Sequence, residues 1–278
     1  MDSSSKTSEP RQAEEDGEPL GVLLDDPESA DLLQVGAALT GVLGLLQADA
    51  THRARYAHGV VLENAEPPVA RDLLSALDKH GLAAFTVPAD KLLQMPEETR
   101  IKEARLDLKV LEMSPGSSFS GLAVPWQQIG AISIYAIEEP IEARVRSDML
   151  LHAVPDRLLR PGLVRAIDEI QERRAKGVEV HLRADFVCPA AGFLLRVDRD
   201  CRITGQPDDS PEVHSLERYI RFLEEVIARS GAYVPTSALL FLEEPRIRPI
   251  VLARAEERRN RNMWLWHMIP TGRLDERG

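Results

Sequence analysis

The chain has 278 residues, 44% hydrophobic and 28% charged, which is ordinary for a globular protein and enough for one large domain or two modest ones. Its formal charge of −11 is concentrated at one end. Residues 1–31 carry ten acids against Lys6 and Arg11, a net of −8 that leaves −3 for the other 247 residues. A nearly neutral body excludes a broad electrostatic attraction for nucleic acid or for an anionic membrane.

Residues 1–19 are rich in Ser, Glu and Pro and have almost nothing to bury, so they read as a disordered acidic tail. They lack an apolar signal-peptide core, and the expected compartment is a reducing cytoplasm, with Cys188 and Cys201 as thiols. Leu32–Leu46 is the most apolar stretch. As a helix it rises only about 22 Å against the roughly 30 Å of a bilayer core, so it reads as a buried or oligomer-facing helix and not a membrane span.

His58–Pro88 contains the clearest supersecondary unit. A short strand, His58–Glu63, precedes a helix from Pro67 to His80 with Val69, Leu73 and Leu77 on one face. Gly81 stands where a helix terminates, and Leu82–Val87 returns as a strand, giving β-α-β with a parallel crossover. Glu103–Met113 alternates as one strand, Ser114–Ser120 is turn-like, and Leu122–Val124 and Ala131–Ile137 are further strands. Residues 139–160 read as a linker.

A second unit follows over residues 161–270, with residues 271–278 as a disordered tail. A helix over 161–176 leads into a hairpin over 178–201, whose Val180, Leu182 and Phe186 face one side and His181, Arg183 and Asp185 the other. Ser210 and Pro211 start a helix ending at Gly231, with Leu216, Ile220, Leu223 and Ile227 as its core stripe. Residues 251–269 form a final helix. The expected fold class is α+β: a small β-α-β-containing sheet domain over 20–138, then a helix–hairpin–helix α+β domain.

No sequence pattern nominates a catalytic, cofactor-binding or metal-binding residue. Neither a phosphate-cradling loop nor a nucleophile elbow occurs, and the turn Asn64–Pro68 combines an acid with prolines that lack N–H donors. The seven histidines are scattered singly. Asp198, Asp200, Asp208 and Asp209 stand in turn-like sequence, where Asp serves its own backbone. The feature left over is the C-terminal helix, where arginines adjoin tryptophans in the composition of an interface. Arg254, Arg258, Arg261, Trp264 and Trp266 are the candidate partner-binding surface.

The expectation is a non-enzymatic binding or regulatory module with a protein partner. One alternative is an enzyme using His181, Asp185 or Cys188 at the hairpin. Another is a structural subunit that forms a homo-oligomer through residues 32–46. The basic helix could also take the acidic N-terminal tail.

The run His58–Val87, strand–helix–Gly–strand with small apolar residues after Gly81, resembles small bacterial signal-transducing domains and the β-α-β halves of ferredoxin-like regulatory domains. Val124-Pro125-Trp126 with Ile129 and Ile132 is similar to a strand junction in bacterial pleckstrin-homology-like domains. The whole order looks like uncharacterised proteins from high-GC bacteria. The resemblance implies a regulatory fold and carries over no functional residue.

Overall fold

The computed structural model describes residues 17–116, 121–140, 178–205, 215–244, 250–272 and 274. Of the tails expected to be disordered, 1–19 and 271–278, residues 1–16, 273 and 275–278 lie outside them, as do most of the linker, the helix over 161–176 and the start at Ser210, whereas Leu274 is buried in the same core as Met268. The class is α+β, as the alternation of periods implies.

The first sheet has three strands, β1 (Leu20–Leu24), β2 (Val60–Ala65) and β3 (Ala84–Pro88), in the order β2-β1-β3. Both neighbours run antiparallel to β1. The unit β2-α3-β3, with α3 at Pro67–Lys79, is therefore a split β-α-β. Its strands are parallel but not adjacent, because β1, absent from the sequence reading, is inserted between them. Helices α1 (Leu32–Leu43) and α2 (Gln47–Ala57) connect β1 to β2. Asp31 caps α1 through the Leu33 N–H at 2.8 Å, and Gly44 ends it in the left-handed conformation. Val35, Ala38 and Leu39 of this apolar segment are buried with Val22, Leu24, Leu73 and Leu77, while Leu33 remains 63% exposed. No helix among the described residues is long and apolar enough to cross a membrane.

The second sheet has six strands in the order β6-β5-β4-β9-β8-β7: β4 (Glu98–Leu106), β5 (Val110–Ser114), β6 (Leu122–Pro125), β7 (Ala131–Pro140), β8 (Val178–Cys188) and β9 (Phe193–Thr204). The expected domain cut after residue 138 falls inside this sheet. β7 pairs with β8 over ten residue pairs, and β4 runs parallel to β9. Such pairings join strands distant in sequence, and a composition change at residues 139–160 carries no information about them. The single strand expected over 103–113 is a hairpin. Asp107 accepts the Lys109 N–H through its side chain, and Leu108 at its tip is 89% exposed.

Helix α5 (Ser215–Ser230) lays Leu216, Ile220 and Leu223 on one face of the large sheet, against Ile134, Leu182, Phe186 and Val197. Helix α6 (Thr236–Glu243) joins that core through Ala238 and Phe241. The opposite face of the sheet is also covered. There α7 (Ala255–Met268) and the short α4 (Ala89–Leu93) fill the space between the two sheets, and Trp264, Leu265 and Met268 pack with Leu23 and Val60 on one side and Ala131 and Val187 on the other. The layers are helices, small sheet, α7, large sheet and α5.

Gly59, with φ of +100°, lies so close to the Trp264 ring that a Cβ there would collide with it. Trp264→Ala should cost about 3–5 kcal/mol in urea denaturation through lost packing. Gly59→Ala should also destabilise, but less so in the Trp264→Ala background, where only the backbone cost of roughly 1–2 kcal/mol persists.

Candidate functional site

A helix buried between two sheets must satisfy its polar side chains on both sides. From Arg259 onward α7 donates first to one side and then to the other, while Asn260 Oδ1 and Asn262 Oδ1 receive no hydrogen bond among the described residues. Towards the small unit, Arg259 pairs with Glu63 at 2.8 Å, Asn260 donates to the Tyr56 carbonyl at 3.2 Å, and Trp264 Nε1 donates to the Leu24 carbonyl at 2.6 Å. Towards the large sheet, Arg261 Nε donates to Ser133 Oγ at 2.9 Å, and Asn262 donates to Asp185 at 2.6 Å. Asp185 is fully buried and also accepts the Tyr135 hydroxyl at 2.9 Å.

Above the first half of α7 the two units part, leaving an open cleft of about 790 Å³. Its floor carries His58, Glu257 and Arg261, its rim includes Leu32, Leu240 and Val251, and Tyr56 and Trp264 contribute aromatic surface. One end is clasped by Glu28, from the loop after β1. The Glu28 carboxylate accepts the Thr236 N–H at 2.7 Å and the Ser237 hydroxyl at 2.8 Å, at the start of α6, and lies 3.4 Å from Arg261. Charge at a helix start and a buried guanidinium both favour this placement.

His58 ends α2 in the left-handed conformation with φ of 45°, and its Nε2 stands 3.8 Å from Glu257. Burial, and then the Arg261 charge, push the His58 imidazole down to about 4. Glu257 is 2% exposed and sits in the first turn of α7, where one oxygen accepts the Ala253 N–H at 3.1 Å. Its Oε1 has no hydrogen-bond partner among the described residues. Burial raises its carboxyl, and the Ala253 N–H and the Arg254 charge oppose that shift.

The five residues expected to form a partner surface do not share a surface. Arg254 is exposed, with its guanidinium 4.5 Å from the centre of the Tyr56 ring. Arg258 and Trp266 are half-buried. Arg261 and Trp264, 6% and 3% exposed, are inside. Helical spacing put them on one helix, but a sheet lies on either side of it, so Arg261 and Trp264 turn inward while Arg254 stays on the solvated face.

The hairpin residues do not converge either. His181 is half-buried on β8, while Asp185 and Cys188, three apart on one strand, face opposite sides of the sheet. Burial pushes the Cys188 thiol up to about 12, which makes it a poor nucleophile. Asp198 and Asp200 belong to β9 and not to a turn, and Arg100, Arg183 and Arg196 approach Asp198 at 2.6, 3.3 and 3.5 Å. Among the described residues, no three His, Cys, Asp or Glu side chains are grouped so as to hold a metal ion. Both cysteines are free and buried.

Glu28, His58, Ser237 and Glu257 were missed from sequence. The available signals were local: His58-Gly59 as a helix stop, and Glu257 as an acid in a helix first turn. Neither signals that the two would meet. Comparison with protein-family models, with curated proteins and with solved structures finds no match to this chain.

Burial, and then the Glu98 charge, push the Asp185 carboxyl up to about 7, while hydrogen bonds from Asn262 and Tyr135 and the Arg258 charge act the other way. Its value in the fold exceeds the ordinary 3.8, so its contribution to stability is fully present below pH 3.8 and is lost as pH rises through about 7. His58, depressed from 6.5 to about 4, has the opposite slope below pH 6.5. Asp185→Asn should therefore gain in melting temperature relative to the parent as pH rises from about 5 to 8, by the equivalent of a few kcal/mol at most. A difference that stays constant with pH would contradict this.

Proposed function

We propose that the protein is a non-catalytic binding module whose ligand occupies the cleft between the two sheet units. The observation that carries this reading is the composition of the cleft: a partly exposed apolar rim above a floor of desolvated polar groups, in a volume suited to a small molecule. Glu28 and His58 come from the N-terminal unit, and Ser237, Glu257 and Arg261 from the C-terminal one. A ligand that touches both sides stabilises the closed arrangement by mass action, so occupancy is read as the firmness with which the small sheet is held. The reading keeps the binding role expected from sequence and moves its surface away from the arginine–tryptophan helix, two of whose five residues are buried.

The test is native mass spectrometry after incubation with a protein-free small-molecule extract. The parent should retain a small-molecule adduct, and a Leu240→Glu/Val251→Glu variant, altered at two partly exposed rim positions, should fold and retain none. Absence of any adduct on the parent, or its persistence on the variant, would overturn the reading.

A further inference from the structure

Within the cleft reading, on which this rests, we infer that the ligand is a carboxylate on a short apolar stem, bound at Arg261 and the start of α6 in the place that the Glu28 side chain now fills. The cation there is internal and loosely paired. The Arg261 side chain is 7% exposed, and its Nε is committed to Ser133. Nη2 reaches Glu28 at 3.4 Å and Ser237 Oγ at 3.5 Å, against about 2.7–2.9 Å for a charge-assisted hydrogen bond. Nη1 makes no hydrogen bond among the described residues, and yet it is not one of the side-chain atoms sealed from solvent. Arg261 lines the cleft, so that unmet donor opens there. A buried guanidinium in this state favours an anion that approaches more closely.

Glu28 shows which group the site accepts. One of its oxygens takes the Thr236 N–H at 2.7 Å and the other the Ser237 hydroxyl at 2.8 Å, with Arg261 beside them. Two oxygens on one carbon match that pair of donors, and the helix start adds its partial positive charge. Glu28 itself is anchored through its backbone, since its N–H and that of Ser29 both bond to Asp26 Oδ1, at 3.2 and 3.3 Å. A carboxylate free of that loop meets the same donors and gains Nη1 of Arg261. Glu28 is an exposed residue, so its displaced side chain returns readily to water. The other groups of the cleft leave room for an anion. Glu257 does not face the ligand, because its Oε1 is sealed from solvent and its other oxygen takes the Ala253 N–H. His58, with its imidazole down at about 4, is neutral near pH 7, and Arg55 adds positive charge at the mouth. The stem would lie against Leu32 on the small unit and Leu240 and Val251 on the large one, replacing the bridge that Glu28 gives up.

Calorimetric titration of the full chain with hexanoate, hexan-1-ol and hexylammonium tests the assignment. Hexanoate should bind about tenfold or more tightly than hexan-1-ol, with hexylammonium weakest. Glu28→Gln removes the charge of the internal competitor while its amide oxygen still accepts the Thr236 N–H. It should tighten hexanoate by about tenfold and change hexan-1-ol by less than about twofold. If the Gln variant does not fold, Glu28→Asp, which draws the competing carboxylate back by one methylene, should also tighten hexanoate. Equal or tighter binding of hexan-1-ol or hexylammonium, no binding of hexanoate to parent or variant, or a hexanoate affinity that the change at residue 28 leaves the same or weakens would overturn the carboxylate assignment. Binding of hexan-1-ol or hexylammonium that is lost in Leu240→Glu would leave the cleft reading standing without it.

Discussion

The run Arg259-Asn260-Arg261-Asn262, closed by Trp264, holds two sheets to one helix. A helix with a sheet on either side keeps only a narrow solvated stripe, here Ala255, Glu256 and Arg259, so most of its other polar side chains must reach partners in the two sheets. Arg259, Asn260 and Trp264 find theirs on the small unit, and Arg261 and Asn262 find theirs on the large sheet. The apolar part of the seam, Trp264, Leu265 and Met268 against Leu23, Val60 and Val187, supplies non-directional stabilisation. The polar part supplies direction. A shift of α7 by one residue would bring Arg261 opposite a different strand position and leave Asp185 without its amide donor, at a cost far above that of an imperfect apolar contact.

The cleft follows from where that fastening ends. Hydrogen bonds from α7 to the small unit begin at Arg259; ahead of it, among the described residues, only His58 beside Glu257 at 3.8 Å and the Tyr56 ring under Arg254 at 4.5 Å span the gap, so the first turn of the helix is mostly floor. The loop carrying Glu28 crosses the gap at one end and docks on the start of α6, joining residues more than two hundred positions apart in sequence. Polar groups gather there because a helix start, a strand-preceding turn and an internal arginine all meet at the same place. Their protonation is governed by burial more than by one another, as the depressed His58 and raised Glu257 show.

Periodicity made much of this architecture legible. The stripe Leu216, Ile220, Leu223 marked α5, the stop at Gly81 marked the end of α3, and the alternation of Val180, Leu182 and Phe186 marked the core face of β8. The other face of β8 misled, because Arg183 and Asp185 alternate as solvent-facing residues do and yet are covered by α7 and by partners on neighbouring strands. The α+β class was legible for the same reason. The domain cut was not, since β4 pairs with β9 and β7 with β8 across long stretches of chain. The cleft was illegible altogether: Glu28, His58, Ser237 and Glu257 belong to four separate elements, and their meeting is a product of topology and not of spacing.

Hydrogen exchange followed by mass spectrometry, resolved over β1, α7 and β8, tests most directly whether α7 is the common core of both sheets. The amides of Arg259–Met268 should be as slow as those of β8, and β1 should gain exchange only when they do. Fast exchange in α7 while both sheets stay protected would contradict the seam and everything built on it.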